Sequence, residues 1–253
     1  MARYSPGLAG HTLTSGFAPS PPFTLSAWVN LSDNGAVQHI LGFSRTTSDL
    51  PFYALRVRFD LPAKNYEVAH RSNTSTQGVA SASTSFPTGQ WVHVAGVFDG
   101  AASRTAYVNG ANVAADSTSI GATSIDQTTA MYSNRNSAPS QYAQGAMAHA
   151  AVWSAALTDN EISSLADGCP PSMIRPDNLV RYWPLYGLEA TASRETDLVR
   201  RDSLVVAGTS WYPDPDWLAQ DPGLPGLPLT QTQVWLGYRR PKWYPGLVQK
   251  VAT

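Results

Sequence analysis

Along most of the first two thirds of the chain, apolar residues recur at every second position. They come in short runs cut by Gly, Pro, Asn, Asp and Ser, which is the spacing of strands rather than of helices. The clearest run lies within residues 90–110. In it Trp91, His93, Ala95 and Val97 fall on one face, and Val92, Val94, Gly96 and Phe98 on the other. Both faces carry apolar side chains, so this strand is expected at the centre of the molecule, covered on both sides, with Trp91 and Tyr107 substantially buried. Asp99-Gly100 predicts a turn, residues 105–108 the returning strand, and Asn109-Gly110 a further turn. The same pattern predicts strands at Phe23–Leu31, Val37–Ser44 and residues 52–59, 65–70, 130–133 and 145–153, with an irregular edge strand at 78–83. On the first of these, Phe23, Leu25, Ala27 and Val29 share a face, and Trp28 lies opposite with Thr24 and Ser26. On the third, Tyr53, Leu55, Val57 and Phe59 share a face, while Arg56 and Arg58 point to solvent or a sheet groove. Residues 1–22 contain Pro6, Pro19, Pro21 and Pro22 and predict an extended lead-in along a sandwich edge. Residues 135–144 predict a polar loop.

The period changes at residues 158–168. Thr158 and Glu161 stand at N-cap and N3 spacing, where each side chain satisfies an orphan amide of the other. Ile162 and Leu165 share one face, Gly168 is a stop, and Cys169-Pro170-Pro171 prevents continuation. A helix this short is stable only when docked, so Ile162 and Leu165 are expected to lie on the sandwich. Strand spacing alone predicts an all-β sandwich or barrel.

Three stretches in order, FTLSAWV at 23–29, the Trp91-to-Gly110 hairpin, and AVWSAALTDNEISSLADG at 151–168, resemble the laminin-G-like, concanavalin A-like jelly-roll family. The resemblance covers roughly residues 20–168. It implies a two-sheet antiparallel jelly-roll β-sandwich with one short helix. NLVRYWPL at 178–185 and SLVVAG at 203–208 look like the family's two opening strands, here standing at the end. Either the domain is circularly permuted or a truncated second repeat begins. Permutation is favoured, because two lone strands are not independently stable. The expected organisation is one sandwich over 1–212, with 172–212 supplying the permuted strands, and an extended C-terminal arm over 213–253. The arm is rich in proline and tryptophan, too aromatic for a solvated tail and too broken to build a core. Trp217, Trp235, Tyr238, Arg239, Arg240, Trp243 and Tyr244 are of the types that anchor interfaces.

Composition narrows the function. Of 253 residues only 14% are charged and the net charge is −1, with no long basic run, so nucleic acid is not an expected partner. The first ten residues have no apolar signal core and no apolar run is long enough to span a bilayer, which predicts synthesis in a cytoplasm and no membrane insertion. The one cysteine, Cys169, excludes an intrachain disulfide, and nothing in the sequence places a histidine beside it as a thiol catalyst requires. His93 and His149 sit among apolar residues and read as hydrogen-bonded packing histidines. No HExxH, GxSxG or phosphate-loop motif occurs, and the Glu-x-Asp-x-x-Glu stretch of related glycan hydrolases is absent. A non-enzyme is therefore expected, and no cofactor.

Some laminin-G-like domains bind calcium at the sandwich rim, which makes Asp99, Asp116 and Asp126 weak candidates. Sugar binding, the family's other habit, would use Tyr132, Asn134, Arg135, Tyr142 or Trp153, although Trp153 is better placed to pack on the helix. PDNLVRYWPLYG with the downstream LVVAGT also resembles laminin-G-like proteins of bacteriophage structural modules. That resemblance implies a virion component, a capsid decoration, minor capsid or tail accessory protein, with other virion proteins and itself as partners. The alternative is a carbohydrate-binding module on a cell-surface glycan. A glycan hydrolase with an unrecognised site is the third option.

Overall fold

The computed structural model describes residues 2–7, 12–16, 18–73, 75–121, 123–185, 194–200, 203–207 and 210–212, with the backbone alone at 12–15, 194–195, 203–207 and 210–212. The strands are β1 (Ala2–Pro6), β2 (Thr12–Ser15), β3 (Phe23–Leu31), β4 (Val37–Ser44), β5 (Phe52–Arg58), β6 (Asn65–Arg71), β7 (Gln77–Ser85), β8 (Val92–Gly100), β9 (Ser103–Val108), β10 (Ala111–Asp116), β11 (Gln127–Ala130), β12 (Ser133–Arg135), β13 (Ala138–Ser140), β14 (Gln144–Trp153), β15 (Leu179–Trp183), β16 (Arg194–Thr196), β17 (Ser203–Ala207) and β18 (Ser210–Tyr212). The α-helix is α1 (Asp159–Ala166), and 3-10 turns follow at Pro171–Met173 and Pro176–Asn178. The first sheet runs β10-β9-β8-β3-β14-β1-β18, with β15 also on β14. The second runs β16-β17-β2-β11-β4-β5-β6-β7. The sheets are antiparallel and form a jelly-roll β-sandwich with one helix.

The core lies between the inner faces. Phe23, Leu25, Ala27 and Val29 of β3, with Val92, Val94 and Phe98 of β8, meet Leu41, Phe43, Tyr53, Leu55, Val57, Tyr66 and Val68 of the second sheet. Phe23 meets Phe43 and Tyr53 edge-on at centroid distances of 5.1 and 5.0 Å, the preferred geometry for aromatic pairs. Gly96 takes an inner-face position because a Cβ there would stand 2.4 Å from Leu55 Cδ2. The central strand is covered on its other face too. Ala95, Val97 and Tyr107 lie under Ile162 and Leu165 of α1, and Trp153 is fully buried beside them and donates Nε1 to the Ile174 carbonyl at 2.7 Å.

The capping box forms as the spacing predicts. Glu161 N donates to Thr158 Oγ1, and Thr158 N donates to Glu161 Oε2 at 2.8 Å. Replacing Thr158 with alanine is expected to cost about 1 kcal/mol. Leu165→Ala empties a fully covered site and is expected to cost more, roughly 2–4 kcal/mol. Equal, negligible effects in thermal melts would mean that α1 carries no docking energy.

Five local expectations are corrected. Residues 1–22 are not an edge lead-in: β1 pairs with β14 and β18, and β2 with β11 and β17. Pro6 closes β1 while Pro19, Pro21 and Pro22 follow β2, so the prolines flank the ladders instead of interrupting them. The turn after β8 falls on Ala101 and Ala102, because Gly100, at φ 140°, still pairs with Ser103 across a bulge. The expected 130–133 strand is split: β11 ends at Ala130, and Met131 at φ 62° swings the chain away. The polar loop is in part a hairpin, β12–β13, turned by Asn136 and Ser137, both with left-handed φ near 53°. Tyr107 is buried as expected, but Trp91 stands just before β8 and is only half-buried, beside Trp28.

The late strands join the sandwich. β15 pairs with β14 along Ala150–Trp153, the stretch left open where β1 ends its pairing at Met147. His149, at φ 50°, is the bulge between the two partners, and its N–H reaches the Pro184 carbonyl at 3.1 Å. β17 pairs with β2 and β16.

Candidate functional site

The outer face of the second sheet carries most of the chemistry. In the β5–β6 register Phe52 lies opposite Arg71, Ala54 opposite Ala69, Arg56 opposite Glu67, and Arg58 opposite Asn65. Tyr53, Leu55 and Val57 are spent on the core, so period two sends these other side chains outward. Arg56 holds Glu67 through Nε at 2.8 Å and Nη2 at 2.7 Å, with only 13% and 8% of the two side chains exposed. Arg58 donates through Nε and Nη2 to Asp60, each at 2.8 Å, and this holds the Asp60 carboxyl below its ordinary range. His39 lies across the β4–β5 ladder from Arg56, with Nε2 3.2 Å from Thr129 Oγ1. Burial pushes its pKa down to about 3, so it is neutral there. Gly42 makes room for that ring, since a Cβ would come within 2.7 Å of it.

The β12–β13 hairpin folds over the β4–β5 end of this face. Ser44 Oγ donates to the Asn134 carbonyl at 2.9 Å, Asn134 Nδ2 donates to Gln127 Oε1 at 3.1 Å, and Ser137 Oγ donates to the Thr46 carbonyl at 2.9 Å. Asn134 Oδ1 is buried without a hydrogen-bond partner. The Arg135 guanidinium lies over the Phe52 ring, 4.9 Å from its centroid, in cation–π contact. Burial holds that guanidinium below its ordinary range. Arg56 and Arg71 act in the same direction, and exposed Asp49 in the other. Tyr132 is buried and stacks at 6.3 Å on Tyr142, which stays half-exposed.

Of the residues expected from sequence, Asn134, Arg135, Tyr132 and Tyr142 therefore all lie on or beside one hairpin. Trp153 is in the layer under α1. The three aspartates are spent separately. Asp116 pairs with Arg104 and accepts from Thr118 N at 3.1 Å. Asp126 accepts from Thr46 N and Oγ1, both at 2.9 Å. Asp99 is exposed near the end of β8. Among the described residues no group of three His, Cys, Asp or Glu side chains could hold a metal ion. Trp217, Trp235, Tyr238, Arg239, Arg240, Trp243 and Tyr244 lie outside the described residues. Sequence reasoning missed Phe52, Glu67 and Arg71, which only the β5–β6 pairing brings beside Arg56. Asn136-Ser137 was the available signal for the hairpin.

A second cluster lies on the outer face of the first sheet. His93 Nε2 is 2.8 Å from Ser26 Oγ, and His149 Nδ1 is 2.7 Å from the Tyr182 hydroxyl. Both histidines line a cavity of about 10 Å³ together with Trp28 and Cys169. So the structure does bring histidines near Cys169, contrary to the sequence expectation. The cavity has room for about one water molecule. Both rings are pushed down to about 3 by burial, and Cys169 is itself buried. This arrangement admits no substrate and serves packing.

Residues 9–163 match the Laminin_G_3 model, described as concanavalin A-like lectin/glucanases superfamily. The chain belongs to that superfamily. The match takes in β2 and ends within α1, so β1 and β15 to β18 lie beyond it. No curated protein matches in sequence. Among solved structures, the superfamily fold is shared with a putative carbohydrate binding protein from Bacteroides ovatus, at 18% identity and TM-score 0.58 over 83% of this chain and 59% of that one. A heptameric SAP-like pentraxin from Limulus polyphemus matches at 18% identity and TM-score 0.52, over 67% and 83% of the two chains. The CBM40 of a Ruminococcus gnavus sialidase, bound to α2,3 sialyllactose, matches at 14% identity and TM-score 0.50, over 62% and 84%. At these identities the likeness is one of fold.

Proposed function

We propose that this chain is a non-catalytic carbohydrate-binding module that takes its glycan against the outer face of the second sheet, beside the β12–β13 hairpin. The observation that carries this reading is the hairpin itself. It is pinned to the sheet by Ser44, Gln127 and Thr46 and holds Arg135 over Phe52 on a sheet face that already carries arginines, with half-exposed Tyr142 two residues after its second strand. A few polar groups fixed on a rigid scaffold, with an aromatic ring beside them, are what a sugar site requires. The shared fold of the Bacteroides ovatus and Ruminococcus gnavus proteins supports the same reading. The virion assembly role expected from sequence rests on the resemblance at residues 176–187 and 204–209, with the 213–253 arm, which lies outside the described residues, as its interface; the shared folds support glycan binding instead.

The test is a glycan array probed with the full chain, followed by calorimetric titration of any hit. A saturable signal is expected, weakened about tenfold by Tyr142→Ala, equivalent to about 1.4 kcal/mol. Glycan-hydrolysis screens are expected to be blank. An array with no hit would sink the reading. Deleting residues 213–253 separates it from assembly: glycan binding should survive, whereas an assembly protein would lose self-association or particle binding.

A further inference from the structure

Resting on the glycan-binding reading, we infer that Arg135, flanked by Arg56 and Arg71, is the recognition point for an oxyanion on that glycan: the carboxylate of an acidic sugar or a sulfate ester.

The charges on this face do not balance at Arg135. Four arginines stand here, Arg56, Arg58, Arg71 and Arg135, against Glu67, Asp60 and Asp49. Glu67 is taken by Arg56 at 2.7 Å, with Arg58 at 3.9 Å, and Asp60 is taken by Arg58 at 2.8 Å. Arg71 directs Nε to the Asn73 carbonyl at 3.1 Å. Arg135 is different. It is half-buried, and among the described residues no ion pair or hydrogen bond reaches its guanidinium. A partly desolvated cation beside like charges is costly unless an anion completes the site.

The geometry favours a bound oxyanion over a diffuse counter-ion. Phe52 holds the guanidinium carbon 4.9 Å from its ring centroid, and among the described residues no hydrogen bond occupies the guanidinium N–H groups. Such groups are what a carboxylate or sulfate grips with two parallel hydrogen bonds. Phe52 is in turn set by the sheet, directly opposite Arg71, and Arg135 is held at the end of β12, opposite Ala138 in the β12–β13 ladder. A neutral sugar would leave Arg135 with only the Coulombic pull of exposed Asp49 against its burial and its arginine neighbours.

The experiment uses matched probes on the array and in titration: uronate- and sialate-terminated oligosaccharides with their carboxyl-reduced forms, and sulfated oligosaccharides with their desulfated forms. The acidic member of a pair is expected to bind at least tenfold more tightly, and added NaCl to weaken it. Whichever pair shows the difference identifies carboxylate or sulfate as the source. Arg135→Gln is expected to abolish the preference, weakening the acidic member at least tenfold more than its neutral counterpart, with the melting temperature nearly unchanged. Should that variant fold poorly, Arg135→Lys, which keeps the charge but not the fork, is expected to lose most of the preference. Equal affinity for acidic and neutral members overturns the inference, as does a preference that survives Arg135→Gln. Either result leaves the glycan reading standing. A change in self-association with glycan binding untouched also overturns it, by giving this face to a second copy of the chain. A blank array overturns both.

Discussion

Acidification from pH 7 to about 5 is expected to cost this protein much of its stability, before most of its carboxylates titrate. The cause is three histidines buried in neutral form: His39, His93 and His149, each with its pKa pushed down to about 3 by loss of solvent. In the unfolded chain the same rings take up protons near pH 6.5. Between about 6.5 and 3 the unfolded state therefore binds more protons than the folded one, and stability falls as the pH falls. At pH 5 each ring contributes roughly 2 kcal/mol of loss, about 6 kcal/mol for the three, against a typical total of 5–15 kcal/mol. His70, stacked at 3.9 Å on Tyr53 and pushed down to about 4 by burial, adds to the same trend. Buried Asp197 works against it, because burial raises its pKa despite hydrogen bonds from Tyr182 N and Val199 N. The Asp60 carboxyl, held down by Arg58, adds its loss only at lower pH. Fluorescence of buried Trp153 and Trp183 and far-UV circular dichroism along a pH titration measure the transition. His93→Gln, which keeps a side-chain donor near Ser26, should move the midpoint to lower pH. A protein still folding cooperatively at pH 4 would show that these rings accept protons in place.

The parts of the fold legible in the sequence are those in which local pattern and tertiary role agree. β3, β4, β5, β6, β8, β9 and β14 alternate or run apolar over seven residues or so, and α1 announces itself with Thr158 and Glu161. β1 and β2 are short and have no visible period. They become strands by pairing with β14 and β11, which are distant in sequence. The site divides the same way. Arg135 and Asn134 stand in a polar segment and could be picked out one by one. Phe52, Glu67 and Arg71 could not, because their importance comes from the β5–β6 register and from a hairpin folded over it. The histidines near Cys169 were hidden for a related reason: β3, β8, β14 and the segment after α1 meet only in the folded sheet.

A chain ending at Gly168 is expected to lose its cooperative melt and to express as insoluble or molten material, although residues 9–163 alone match the superfamily. The deletion removes β15, and with it the ladder to β14 from Ala150 to Trp153. Tyr182 and Trp183, both fully buried, go too, as do Leu179, Ile174 and Leu185. Losing one such aromatic typically costs about 3–5 kcal/mol, so losing two approaches the whole stability of a domain. The polar losses add to this. Trp153 Nε1 loses the Ile174 carbonyl, and His149 loses the Tyr182 hydroxyl and the Pro184 carbonyl. The backbone of β2 also loses its neighbour β17. Ending the chain at Tyr212 instead keeps every one of these contacts, and that protein is expected to melt close to the full-length temperature. Trp183→Ala in the full chain serves as the intermediate case, with an expected loss of about 3–5 kcal/mol. Differential scanning calorimetry of the three proteins checks the order. A sharp transition from the chain ending at Gly168 would mean that the late strands form a unit of their own, and that the sandwich does not extend over 1–212.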